Sequence, residues 1–192
     1  HCPQSLHSKR DFSIFIKAFE HDGQFSPKIR TMYAKELLKT GDKKDFTDAK
    51  PIFQLIFDND PADDARKEAA CVLARIYRME DNKNEFFKLT MKDMLPTPCA
   101  EICYELGTYF VGQRDYAEAV LWFYNAAYET ESILDVHTSG DLPLLGLVEC
   151  YETLLAGEEA KIPSDTALTI QYEMMLDKYR EASRDWRMPE ET

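Results

Sequence analysis

A chain of 192 residues with 44% hydrophobic and 12% aromatic residues is long enough to bury a core and too apolar to be disordered. Its net charge of −12 comes from the second half, since residues 1–98 carry +1 and residues 99–192 carry −13. Nucleic acid is an unsuitable partner for such a surface, because it is bound through clustered lysine and arginine. No apolar run approaches the ~20 residues of a membrane span, so we expect neither membrane insertion nor a signal peptide.

The five cysteines form no C-x-x-C pair and are odd in number. Cys99 and Cys103 lie one helical turn apart and could share a metal ion, but no histidine or third cysteine joins them in the sequence. Three cysteines fall on predicted buried helical faces, where cysteine behaves as a small hydrophobe. We therefore expect a reduced, cytoplasmic protein.

Two helices are predicted near the N-terminus. Apolar residues from Phe12 to Phe19 indicate a short helix that ends at Gly23. Ser26 followed by Pro27 is typical of a helix start, and the next helix stops at Gly41. The first of these two helices should present an exposed apolar face. We expect that face to be the surface most prone to self-association and the site of any homodimer contact. Three residues define that face: Phe12, Phe15 and Phe19.

A turn inserted over Gly41–Asp45 is expected to precede the third helix. Because proline is tolerated in the first turn of a helix, we expect Asp48 to cap this helix just before Pro51. A further helix pair is predicted at 61–78 and 84–95, closed by prolines.

The stretch 100–127 predicts a helix–turn–helix hairpin, because its apolar residues recur at three- and four-residue steps. Asp115 should cap the second helix. Gly107 lies where the two helices approach closely, and Phe110 and Phe123 fill the space between them.

After the hairpin comes a loop at 133–141 that is longer than a repeat needs. A helix is predicted over 142–155, and the chain loosens at 157–163. Ser164 or Asp165 should cap the last helix.

Two polar groups are candidates for chemistry, and neither is favoured. Asp58–Asp60 resembles a metal-binding D-x-D motif, but the preceding run has helical spacing and Pro61 starts the next helix, so we interpret it as a linker. His137 beside Asp135 and Asp141 is more consistent with a loop contact than with a site. We therefore expect no catalytic residue, and no cofactor or metal, in this chain.

The hairpin resembles the tetratricopeptide repeat, whose pattern W-x2-L-G-x2-Y, A-x3-F, P extends over ~34 residues. Cys103 replaces the tryptophan, and Glu131 lies near the final proline. Leu73 precedes Leu106 by 33 residues, which agrees with the period. The matching residues are Leu106, Gly107, Phe110, Tyr116, Ala119, Phe123 and Ala126. The resemblance implies an all-α, right-handed superhelix of about three to four antiparallel helix pairs; an ordinary helical bundle is the alternative.

A wider resemblance extends over residues 7–155. The phrases at 7–12, 25–27, 122–127 and 147–151 are similar to the C-terminal region of bacterial family 2 glycosyltransferases that carry tetratricopeptide repeats. That resemblance implies a fragment of a longer protein, whose preceding transferase domain would hold a sugar nucleotide and a divalent metal. None of the family's catalytic residues maps onto this chain.

Together these features predict three segments: a linker with a short helix (1–25), a helical repeat domain (26–185) and a polar tail (186–192). The leading function is a non-catalytic interaction or oligomerisation module serving a glycosyltransferase, with a protein or peptide partner. A stand-alone adaptor that binds a peptide in its concave groove is the alternative, and an enzyme is the least favoured reading. The first helix of each pair should line the groove. Candidate groove residues are Thr31, Lys35, Cys71, Arg75, Arg78, Tyr104, Thr108, Leu145, Glu149 and Glu152.

Overall fold

The computed structural model describes residues 11–189, which form nine α-helices and contain no strand. The expected all-α class is confirmed. The chain divides between Asp81 and Asn82 into two compact units. The sequence of the first unit has equal numbers of basic and acidic residues, so the second accounts for the whole net charge of −12. Among the described residues, no helix is long and apolar enough to span a bilayer.

The described part of the first unit, residues 11–81, contains four helices. They are α1 (Ser13–Asp22), α2 (Pro27–Thr40), α3 (Lys43–Asn59) and α4 (Asp63–Met79). Gly23 ends α1 with a φ of +70°, a conformation that glycine adopts without strain. Ser26 Oγ accepts the N–H of Ile29 at the start of α2, so both predicted boundaries are confirmed. α4 packs on both α2 and α3, and α1 packs on α3.

Tyr33 lies at the centre of the first unit's core and has no exposed surface. Its ring stacks on Phe15 with 4.5 Å between centroids and contacts Phe53 at 5.2 Å. Phe12 lies at 6.0 Å on the same side as Phe15. Phe12 and Phe15 are only 3% and 4% exposed. The expectation that they form an exposed dimer surface is therefore wrong, because α1 folds back and closes the core.

α3 begins earlier than the sequence suggested. Asp42 Oδ1 accepts the N–H of Asp45 at 3.0 Å, and Asp45 Oδ2 accepts the N–H of Asp42 at 2.9 Å, which is a capping box. The predicted cap at Asp48 and the long inserted turn are both wrong, since only Gly41 and Asp42 separate α2 from α3. Pro51 lies inside α3 on its exposed side, where the carbonyl that lost its helical partner can bond water.

Residues 82–189 of the second unit form five α-helices. They are α5 (Lys83–Lys88), α6 (Ala100–Gly112), α7 (Tyr116–Tyr124), α8 (Asp141–Glu159) and α9 (Thr166–Asp185). α5 and α7 continue as π-helical segments, Leu89–Asp93 and Asn125–Glu129, and Val136–Ser139 forms a 3₁₀ turn. Consecutive helices from α6 to α9 pack antiparallel, so the predicted hairpin is confirmed. Asp115 and Asp165 cap α7 and α9 as expected.

The core of the second unit is built around Phe123, which is 3% exposed. Its ring packs against two glycines, Gly107 of α6 and Gly146 of α8. Farther along α8, the ring of Tyr151 stacks on Tyr179 of α9 with 5.7 Å between centroids. Small residues thus admit large rings at the seams between helices, which is how close helix packing is achieved without cavities.

The C-terminal part departs from the prediction at two places. α8 continues through Gly157 to Glu159. Near its end, the buried Glu158 accepts the N–H of Asp165 through Oε1, which ties the end of α8 to the start of α9. Trp186, expected in a loose polar tail, instead packs its ring against Gly140. Residues 190–192 of that tail lie outside the described residues.

Candidate functional site

A buried polar network connects α2 to α4 in the first unit. Arg30 Nε donates to Glu68 Oε2 at 2.7 Å, and Thr31 Oγ1 donates to Glu68 Oε1 at 2.6 Å. Arg30 and Glu68 are only 6% and 8% exposed. Buried charges are tolerated only when they are paired and hydrogen-bonded, so each partner depends on the other. The network fixes α2 on α4 and holds the Thr31 side chain in place.

A shallow, solvent-open depression of about 450 Å³ runs along the outer face of α2 beside this network, and all of its lining residues belong to α2. Its lining residues recur at the three- and four-residue spacing that places side chains on one helical face. They are Pro27, Lys28, Thr31, Met32, Lys35 and Glu36. Lys28 and Lys35 are exposed, and Met32, between them, is 38% exposed. We call this surface the α2 groove.

The candidate groove residues of the first unit differ in their surroundings. Thr31 and Lys35 line the α2 groove. Arg75 and Arg78 of α4 are half-buried, and Arg75 Nη1 donates to the carbonyl of Leu38 at 3.5 Å. Cys71 is 1% exposed and cannot present its side chain to a partner, so that choice was wrong.

In the second unit, the candidate residues divide into inward and outward groups. The half-buried Tyr104 lies with its ring 5.7 Å from Phe123, and Thr108 donates its hydroxyl hydrogen to the carbonyl of Tyr104. Tyr104 thus packs at the α6–α7 seam, and the Thr108 hydroxyl bonds within its own helix. The outward group lies on α8 and is exposed: Leu145, Glu149 and Glu152. Of these, Glu152 accepts a hydrogen bond from Arg180 of α9 at 2.8 Å.

Sequence reasoning missed a second cavity of the first unit, about 300 Å³ in volume. It lies where the turn between α1 and α2 meets the linker between α3 and α4. Asn59 and Asp60, from the D-x-D stretch, belong to its lining, together with Arg30. Asp60 follows the last residue of α3, and its Oδ1 accepts the N–H of Ala62, as expected for a linker. Asp58 and Asn59 instead belong to the last turn of α3, so the predicted linker is too long by these two residues. No motif marks this cavity, because its walls come from positions far apart in the chain.

The loop after the hairpin is held by a buried glutamate that the sequence did not single out. Glu101 is 3% exposed, and its carboxylate accepts the N–H groups of Ile133, Leu134 and Asp135 at 2.7–3.2 Å. Beyond it, His137 Nδ1 lies 2.7 Å from Asp141 Oδ1. Both arrangements stabilise the loop, so the interpretation of His137 as a loop contact is favoured.

Four buried cysteines are described, and none of them forms a disulfide within the described residues: Cys71, Cys99, Cys103 and Cys150. Burial raises the pKa of Cys103 to about 11 and that of Cys150 to about 12. Both thiols are therefore protonated near neutral pH, and a protonated buried thiol is a poor nucleophile. Cys2 lies outside the described residues.

No family model matches the chain, and no curated protein or solved structure is significantly similar to it. Function is therefore inferred from the geometry of the described residues.

Proposed function

We propose that the chain is a non-catalytic protein-interaction module whose binding surface is the α2 groove. One observation carries this proposal: Lys28 and Lys35 flank the exposed Met32 on a single helical face. Neither lysine has an ion-pair partner within residues 11–189. The lining carries two lysines and one glutamate, Glu36, so the adaptable thioether of Met32 lies in a surface of net positive charge, which suits a segment that combines acidic and apolar side chains. The partner we propose is an acidic, partly apolar protein segment.

The groove also has a fixed polar group for such a segment to meet. Thr31 is held by its hydrogen bond to the buried Glu68, so its position does not depend on the partner. A side chain that is ordered before binding loses less conformational entropy when the complex forms. The rigid threonine would set the register of the bound segment, and the flexible lysines would neutralise its charge.

The second part of the proposal is a tetratricopeptide-type superhelix, in which α6 with α7 and α8 with α9 would form successive pairs. Support comes from the 33-residue spacing of Leu73 and Leu106, from the successive antiparallel packing of α6 to α9, and from the contact between Gly107 and Phe123. In such a stack, first helices line a common binding surface. Attachment to a glycosyltransferase and action as a stand-alone adaptor stay predictions, and the α2 groove is compatible with both.

Fluorescence anisotropy tests the groove directly. The probe is a short labelled peptide in which glutamate alternates with leucine, and the comparison peptide replaces each glutamate with lysine. We expect the glutamate peptide to bind and the lysine peptide not to bind. Reversing both groove charges, Lys28→Glu with Lys35→Glu, should weaken binding by about tenfold or more.

The matched control reverses two exposed lysines outside the groove, Lys17→Glu with Lys43→Glu, which changes the net charge equally. We expect this control to alter the affinity by less than about twofold. Equal weakening by both double variants would mean that only net charge matters and would overturn the proposal. Absence of binding by the unmodified chain would overturn it as well.

A further inference from the structure

The second cavity of the first unit has the composition of a small-ligand site. Its volume of about 300 Å³ lies at the small end of the range for ligand pockets, about 300–1,000 Å³. One wall is apolar and carries Phe19, Phe25, Leu55 and Ile56, and the rings of Phe19 and Phe25 lie 4.9 Å apart. Leu55 is 48% exposed, so the wall is open to an incoming molecule.

Arg30 brings a buried cation to this cavity. Its side chain is 8% exposed, and its Nε donates to Glu68, yet neither Nη atom has a hydrogen-bond partner within residues 11–189. Both Nη atoms keep some contact with solvent. Within the described residues, the side-chain atom that is fully buried and has no hydrogen-bond partner is the hydroxyl of Tyr33, not an Nη atom of Arg30. Two adjacent N–H groups of one guanidinium match the two oxygens of a carboxylate. The cavity therefore offers a ready partner for a ligand carboxylate.

Asp60 contributes the opposite charge. One oxygen of its carboxylate accepts the N–H of Ala62 at 2.9 Å, and the other has no partner in the described part of the chain. A purely anionic ligand on Arg30 would be repelled by Asp60 and by Glu68, which already pairs with Arg30, and a purely cationic ligand would leave the Nη groups of Arg30 without an acceptor. A ligand that carries a carboxylate and an ammonium group satisfies both residues.

We propose that this cavity binds a free apolar α-amino acid. The α-carboxylate accepts hydrogen bonds from the Nη groups of Arg30, the α-ammonium donates to Asp60, and the side chain lies against Phe19, Phe25 and Leu55. This site is separate from the α2 groove and does not depend on the function proposed for it. Arg30 nevertheless connects the two through Glu68, whose other oxygen holds Thr31 of the groove.

Isothermal titration calorimetry of the full chain tests the proposal with three probes: L-phenylalanine, 3-phenylpropanoate and phenethylamine. They share the aromatic side chain, and the last two each lack one charged group. We expect phenylalanine to bind at one site and each analogue to bind about tenfold more weakly or not at all. Equal affinity for phenylalanine and 3-phenylpropanoate would overturn the role of Asp60, and no heat with phenylalanine at about 10 mM would overturn the site.

Three variants locate the binding. Asp60→Asn should remove the preference for phenylalanine over 3-phenylpropanoate, because only the ammonium loses its partner. Leu55→Trp should abolish binding by filling the cavity, and the partly exposed position makes this change compatible with folding. Lys39→Gln, an exposed single-charge change on α2, is the control and should leave phenylalanine binding unchanged. Phenylalanine binding that survives both Asp60→Asn and Leu55→Trp would show that the amino acid binds elsewhere and would overturn the proposal.

Discussion

The ring of Phe123 lies so close to Gly107 that a Cβ at residue 107 would be 2.6 Å from its Cδ1. Real Cβ atoms essentially never approach another heavy atom within 3.0 Å, so α6 and α7 can pack this way only with glycine at that position. On its other side, the same ring would lie 2.7 Å from a Cβ at Gly146. One side chain thus joins three consecutive helices of the second unit.

Substitution of Gly107 tests this packing. Gly107→Leu should destabilise the protein by about 1–3 kcal/mol or more, because Phe123 must leave its rotamer or the helices must separate. Gly112→Leu is the matched control, since a Cβ at residue 112 of the same helix meets no atom within 4 Å. Urea unfolding compares the two variants with the parent. If both variants unfold at the same urea concentration as the parent, α6 and α7 do not pack as described.

Features encoded by neighbouring residues were predictable from the sequence. The hairpin, the caps at Ser26 and Asp115 and the stop at Gly23 each depend on a few residues, and the structure confirms them. The start of α3 was missed although its signal is local. Asp42 and Asp45 form a capping box at the true start of α3, whereas Pro51 suggested a later start.

Features that join distant residues were not predictable. Arg30 and Glu68 are 38 positions apart, and nothing in the sequence near either residue indicates the other. Glu101 likewise binds backbone N–H groups more than 30 positions away, which any sequence can supply. The second cavity was missed for the same reason, because tertiary packing alone brings Arg30 near Asp60.

Removing one member of the buried Arg30–Glu68 pair should lower the free energy of unfolding more than removing both. Glu68→Leu leaves the guanidinium of Arg30 buried without a counter-ion, at an expected cost of about 3–5 kcal/mol. The double variant Arg30→Met with Glu68→Leu should recover most of this loss. Asp48→Asn, which breaks the exposed pair with Lys44, should lower the free energy of unfolding far less than Glu68→Leu does. A double-mutant cycle measured by urea unfolding checks this ranking of stabilities. A double variant less stable than Glu68→Leu would contradict it.

Tyr33→Phe should stabilise the first unit by about 1 kcal/mol or more. The Tyr33 hydroxyl is buried without a hydrogen-bond partner in the described residues, and burial raises its pKa. An unsatisfied buried polar group costs about 1–3 kcal/mol, which the substitution relieves. Tyr77→Phe should instead destabilise the unit, because it removes the hydrogen bond that the Tyr77 hydroxyl donates to Gln54 at 2.5 Å. Thermal unfolding distinguishes them, and destabilisation by Tyr33→Phe would mean that its hydroxyl has a partner after all.

Stability should fall as the pH rises above about 9. Burial raises the pKa of Cys103 from 9.0 to about 11, that of Cys150 from 9.0 to about 12 and that of Tyr179 from 10.0 to about 12. Above pH 9 the unfolded chain loses these protons first, so unfolding is favoured until the folded groups also ionise. Urea midpoints measured at about pH 8 and pH 10.5 check the trend. Cys150→Ala should reduce the difference between the two midpoints, and an unchanged difference would exclude that thiol as a cause.

The most direct test of the α2 groove is hydrogen–deuterium exchange, followed by mass spectrometry, with and without the glutamate–leucine peptide. The peptide should slow exchange within residues 27–36 of α2, where Lys28, Met32 and Lys35 would contact it. The Lys28→Glu, Lys35→Glu double variant should lose this protection at the same peptide concentration. Protection confined to other helices, or equal protection of the double variant, would contradict the assignment of α2 as the binding surface.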